Sequence, residues 1–189
     1  MSVRSVCGIS VFAGVLVMSA CGGSASSTAS STARSSSAPS SSSPSAGTRF
    51  LSFDATTKTA TVLLHANYNP KALRNFNGYS KGAMSISVPA GWTITVKCIN
   101  DDVSGEYHSC AAVADQDATA PVFTGATTPN PLNGLGLGQT ATFTFMPDKV
   151  GNYRFACLVG KHQVSGMWDV FDVTASESPS ISYTAAATS

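Results

Sequence analysis

The sequence predicts an all-β fold, and three observations carry that prediction. Several segments alternate apolar and polar residues with a period of two. Gly, Pro and Asn clusters separate these segments at short intervals, and no window reads as a long amphipathic helix. Thr59 to Ala66 is the first strand expected in the domain. Met84 to Val88 alternates apolar residues with Ser and ends at the turn Pro89-Ala-Gly91. Trp92 to Ile99 resumes the alternation with many β-branched residues, which suit a pleated, half-buried surface. Gln139 to Met146 is the cleanest alternation of all. Pro147-Asp-Lys-Val-Gly151 turns it into Tyr153 to Cys157, and Met167 to Val173 closes the set. Asn67 to Lys81 and Asp115 to Leu137 are expected to be irregular excursions between strands. A succession of short strands with such turns points to a β-sandwich.

The N-terminus is read apart from the fold. Arg4 is followed by an apolar run from Ile9 to Met18, too short for a membrane-spanning helix, and then by the small residues Ser19 and Ala20. That is the pattern of an export signal. Met18-Ser-Ala-Cys21 resembles a bacterial lipobox, whose cysteine becomes a lipidated first residue; the bland reading is an ordinary signal with a chance cysteine. The organisation expected is a lipoprotein signal at residues 1–20, a lipidated Cys21 with a Ser-rich disordered tether to residue 48, one domain at 49–174, and a flexible tail at 175–189. The tether lacks the apolar content needed to offset ordering entropy. A lipid on Cys21 would anchor the protein to the outer face of the cell membrane without spanning it. With 11 basic and 10 acidic residues the charge is balanced, so nothing favours nucleic acid as a partner.

The chain has five cysteines and three histidines. Cys7 leaves with the signal. Cys157, His162 and Met167 stand at Cys-x4-His-x4-Met spacing between two expected strands. A thiolate, two imidazoles and a weak thioether are the donors of a blue-copper electron-transfer site. His108, just after an apolar strand, supplies the second imidazole, and His65 is the substitute candidate. Taken singly, each residue has a bland reading: Cys157 a buried thiol, His162 a turn residue, Met167 core filling, His65 a strand residue. Their joint spacing favours the metal. Zinc fits less well, because Met is a poor ligand for it. Cys98 and Cys110 remain, and in an oxidising compartment they are candidates for a disulfide closing a short loop before the metal site; two separate buried thiols are the alternative.

These residues resemble a family. The Cys-x4-His-x4-Met motif ending in Gly-Met-Trp, Asn75-Phe-Asn-Gly78, Val88-Pro-Ala-Gly-Trp92 and His108-Ser109 are similar to those of cupredoxins of the sulfocyanin and rusticyanin group. The resemblance extends over most of Leu51 to Val173. It implies a Greek-key β-sandwich holding one type 1 copper ion that cycles between Cu(I) and Cu(II). It also implies His108, Cys157 and His162 as equatorial ligands, Met167 as axial ligand, and Ser109 behind them with its amide directed at the Cys157 sulfur. The expected role is a monomeric electron carrier, not an enzyme, meeting redox partners such as an oxidase or cytochrome only transiently. Copper storage or delivery is the alternative, although Met-rich and His-rich tracts are absent. An oxidase or reductase would need histidines for further copper centres, and only His65 is left over.

Overall fold

In a computed structural model of the chain, residues 45–72, 74–114 and 117–184 are described. The signal, Cys21 and the tether as far as residue 44 lie outside these residues. Among the described residues there are ten strands: β1 (Ser45–Thr48), β2 (Leu51–Asp54), β3 (Thr59–Ala66), β4 (Met84–Pro89), β5 (Thr93–Asn100), β6 (Ala111–Val113), β7 (Thr140–Phe145), β8 (Gly151–Ala156), β9 (Trp168–Thr174) and β10 (Ser180–Tyr183). They form two five-stranded sheets, ordered β1-β2-β3-β5-β7 and β10-β4-β9-β8-β6.

The alternation read from the sequence becomes the core. On β3, Ala60, Val62, Leu64 and Ala66 point inward; on β5, Ile94, Val96 and Cys98 do so; on β9, Phe171 and Val173. Each fully buried Val, Leu, Ile or Phe contributes roughly 1.5–3 kcal/mol relative to exposure. Aromatic rings fill the centre: Phe155 lies 4.4 Å from Phe171, and Phe145 lies 5.9 Å from Phe171. Offset and edge-on ring pairs of this kind add modestly to the area term. β3 and β5 run parallel, as do β4 and β9, while β8 and β9 form an antiparallel pair in register from Gly151–Val173 to Ala156–Trp168. The loop closing that pair is the Cys157 to Met167 segment.

All six strands expected from periodicity are present, with ends shifted by one or two residues. Four strands were not expected. Ser45–Thr48 falls in the segment read as tether, yet pairs with β2. Ser180–Tyr183 falls in the segment read as a flexible tail, yet pairs with β4 through Ile181–Ile86 and Tyr183–Met84 and forms the edge of that sheet. Tyr183 also stacks on Tyr79 at 4.7 Å between centroids. Both segments, like β2 and the three-residue β6, are too short or too polar to show a period. β6 and β10 become strands by pairing with β8 and β4, far away in sequence, whereas β1 and β2 pair with each other across a short turn and β2 pairs on with β3.

Among their described residues the two excursions contain no strands, yet both are anchored. In the first, buried Asn77 accepts a hydrogen bond from the His65 amide on Oδ1 and donates through Nδ2 to the Leu63 carbonyl, each at 2.8 Å. In the second, Phe123 stacks against Phe145 and meets Tyr153 edge-on. A disulfide joins Cys98 on β5 to Cys110, the residue before β6, and so ties one sheet to the other. The bridged residues are 12 apart in sequence, and closing a loop of that order in the unfolded chain is worth on the order of 3 kcal/mol. Cys98→Ser is therefore expected to lower stability by ~3 kcal/mol, read as a lower urea midpoint.

Candidate metal centre

Three segments converge at one end of the sandwich. The first is 100–110, between β5 and β6, which carries His108 and Ser109. The second is 130–138, paired to it by reciprocal backbone hydrogen bonds between His108 and Leu135 of 3.1 and 2.7 Å. The third is the β8–β9 loop, with Cys157 just past β8 and Met167 just before β9. Its turn is built from local backbone bonds: His162 donates to the Val159 carbonyl, Met167 to the His162 carbonyl, and Cys157 to the Met167 carbonyl at 3.1 Å. The last of these holds the two ends of the loop together. Gly166 (φ +107°) sits where an added Cβ would come within 2.8 Å of the Lys81 side chain, so the loop closes tightly over its neighbour.

The result is a small triangle of donor atoms. Cys157 Sγ lies 3.4 Å from His162 Nδ1 and 3.9 Å from His108 Nδ1, and the two imidazole nitrogens are 3.2 Å apart. A point equidistant from three atoms so spaced lies about 2 Å from each, the length of a metal–imidazole bond. The cluster is nearly sealed: His108 and Cys157 have no exposed surface and His162 is 7% exposed. A thiol and two imidazoles facing one another in a buried space have no better mutual arrangement than around a cation, and soft sulfur with imidazole suits copper. Met167 is buried in the same loop, at the end nearest Cys157 by the backbone bond already noted.

Electrostatics agree with that arrangement. Burial pushes the Cys157 thiol up, against the pull of the Ser109 and Val159 amides, so an empty site favours the thiol and a cation is what makes the thiolate favourable. Burial, together with the adjacent His108 and Arg74, lowers the His162 imidazole to about 4. Its ring is therefore neutral near pH 7, with a lone pair free for a metal. The Ser109 amide donates to Cys157 Sγ at 3.3 Å, and the Ser109 hydroxyl accepts from the Leu158 amide at 2.9 Å. Ser109 thus both touches the sulfur and locks the strand that carries it.

The outward nitrogens of the two imidazoles meet acids that the sequence reading did not single out. His108 Nε2 is 2.8 Å from Asp102 Oδ2, with both side chains fully buried. His162 Nε2 is 3.7 Å from Glu106 Oε2 at the surface. Arg74 grips Glu106 with two nitrogens, at 3.2 and 3.4 Å, and reaches Ser165 Oγ at 2.8 Å. Asp102 and Glu106 precede His108 by six and two residues, a spacing with no periodic signature. Arg74 comes from an excursion far away in sequence. His65 lies apart from the triangle: its Nδ1 pairs with Asp101, and its ring packs edge-on against Phe50 and Tyr68.

Gly134 is a further residue the sequence did not mark. It has φ +77°, and an added Cβ would come within 2.9 Å of the His108 backbone N and O and 2.7 Å of the Val159 side chain. Gly134→Ala is expected to cost at least ~1–2 kcal/mol from the left-handed backbone alone. Because the clash is with the His108 backbone, it should also weaken metal affinity, measurable by competitive titration with a copper chelator.

Three comparisons with known proteins bear on this geometry. Residues 46–186 match the sulfocyanin (SoxE) domain. Sulfocyanin of Sulfolobus acidocaldarius is 31% identical over 132 residues, covering 62% of this chain and 65% of the relative, so the match spans just under two thirds of that protein's length. Among solved structures, a rusticyanin variant is 26% identical with a TM-score of 0.47, over 62% of this chain and 78% of that one. Auracyanin A, a "blue" copper protein from Chloroflexus aurantiacus, is 17% identical with a TM-score of 0.43, over 61% of this chain and 99% of that one. On the match that runs through nearly all of the described strands, the chain belongs to the sulfocyanin family.

Proposed function

We propose that this protein is a single-electron carrier holding one type 1 copper ion between His108, Cys157, His162 and Met167. The buried triangle of one sulfur and two imidazole nitrogens is the observation that carries this reading. Bound copper supplies the one-electron Cu(II)/Cu(I) couple. Cys157 provides the soft, anionic donor, and the Ser109 amide stabilises charge on its sulfur. The loop between β8 and β9 delivers three of the four donors, and β6 and the disulfide hold the segment carrying the fourth. A donor set restrained this way needs little rearrangement between oxidation states, which is what fast electron transfer requires. The same burial speaks against storage or delivery, where ligands must be reached and exchanged.

His162 is the donor nearest the surface. Beside it Gly160, Lys161 and Val164 are exposed, whereas Gly166 is buried. A redox partner such as an oxidase or cytochrome would dock here transiently, in a small interface suited to fast release. Lipidated Cys21 would hold the domain on the outer face of the cell membrane, where such partners are found.

With Cu(II) added, the purified protein is expected to show an intense charge-transfer band in the visible and a narrow copper hyperfine splitting in EPR. Cys157→Ser should lose both, since a hydroxyl supplies no thiolate; a variant that stays coloured would remove Cys157 from the site. Met167→Leu should keep the copper and raise the potential by on the order of 60 mV, a tenfold bias toward Cu(I). Val164→Asp should leave the spectrum alone and slow electron self-exchange at least about tenfold, because two copies must then bring like charges together. An unchanged exchange rate would place the docking surface elsewhere.

A further inference from the structure

The two carboxylates behind the imidazoles are built differently, and the difference has a consequence for the redox couple. Glu106 is at the surface and already neutralised by Arg74. Asp102 has no exposed surface. Oδ1 accepts the Ser104 hydroxyl at 2.6 Å and the Ser104 amide at 2.7 Å. Oδ2 faces His108 Nε2. Asn100 sets the whole turn: its Oδ1 accepts the Asp102 amide, and its Nδ2 donates to the Glu106 and Leu135 carbonyls.

Shaping the turn needs only Oδ1, and a neutral Asn would do it equally well. The second oxygen is aimed at His108. We propose that Asp102 is a positioning residue for the redox centre: it fixes His108 as the Nε2–H tautomer, with Nδ1 facing the metal, and its buried negative charge favours the oxidised state. The inference rests on the copper reading above. A carboxylate behind a ligating imidazole orients the ring and raises its basicity. The charge count gives the direction. With Cu(II), the thiolate of Cys157 and the carboxylate of Asp102 bring the buried site to zero. When a reduced partner is oxidised and its electron enters, no proton moving, the site becomes −1. Net charge is costly to bury, so the neutral, oxidised site is favoured. With Asn at 102 the same two states carry +1 and zero, and the preference reverses toward the reduced one.

Asp102→Asn is the test, in the full-length protein, with Asp102→Glu as the charge-conserving control. Asn keeps the Oδ1 acceptor for Ser104, so thermal melting should change little. The Cu(II)-to-Cu(I) affinity ratio should fall at least tenfold, a rise in potential of about 59 mV or more. Asp102→Glu should lie nearer the wild type in potential. In the metal-free protein, nitrogen NMR should show His108 protonated on Nε2, a readout that needs no copper. A blue wild type with the potential of Asp102→Asn unchanged would overturn the role of Asp102 alone. So would a glutamate variant shifted as far as the asparagine one, or His108 protonated on Nδ1. A wild type that binds copper without a charge-transfer band would instead overturn the copper reading, and the role of Asp102 with it.

Discussion

The antiparallel pairing of Ala111 with Ala156 joins the two halves of the site. It sets the segment before β6 beside the segment after β8, so that Ser109 lies against Cys157 and His108 lies over the β8–β9 loop. β6 is only three residues long. It would not hold this register unaided, because so few ladder hydrogen bonds cannot offset the entropy of ordering it. The disulfide from Cys110 to Cys98 anchors its start to the opposite sheet, and the His108–Leu135 bridge backs it from the other side. Were this pairing to slip by one residue, every side chain on the strand would change face. His108 and Ser109 would then turn away from the sulfur together.

That register creates an electrostatic problem, which the surrounding loops resolve. A thiol, two imidazoles and a carboxylate are collected where water is excluded, and burial opposes charge on each of them. The protein meets this unevenly. Asp102 is kept anionic by hydrogen bonds from Ser104, His108 and Asn67, His162 is kept neutral, and Cys157 has amide support but no cation of its own. A metal cation bound among them would supply the positive charge that balances the set. At the surface the acid behind His162 is matched by Arg74, so that side is neutral without a metal. A rigid scaffold is required for this arrangement, since a shift of a few tenths of an ångström in any donor would leave a buried polar group unmatched.

Rigidity near the site comes as much from irregular backbone as from sheets. Asn75, Asn77 and Asn100 are buried amides whose side chains replace the missing ladder bonds of the excursions. A buried amide can bond backbone groups on two segments at once, and Asn100 does so for the segments carrying Glu106 and Leu135. Gly134 serves by having no side chain where the excursion crosses the segment carrying His108. These devices leave the donor atoms little freedom, and they lie in stretches whose composition reads only as loop.

The sequence by itself determined the fold class and marked the residues that the fold gathers at one place, His108, Cys157 and His162. Period-two alternation places alternate residues on one face of a sheet, so the six longest strands and the inward positions of Val62, Leu64, Ile94, Val96, Phe143, Phe145, Phe155, Phe171 and Val173 were legible locally. Cys157, His162 and Met167 were legible because they share one short loop, where spacing in sequence stands in for distance in space. His108 was legible from the scarcity of histidine. The tertiary structure alone decided which short segments became β1, β2, β6 and β10, because three or four residues carry no readable period and are ordered by the backbone partner beside them. It alone decided the roles of Asp102, Glu106, Arg74 and Gly134. None of these has a periodic signature, and each matters only through what the folded chain brings within a few ångströms of it.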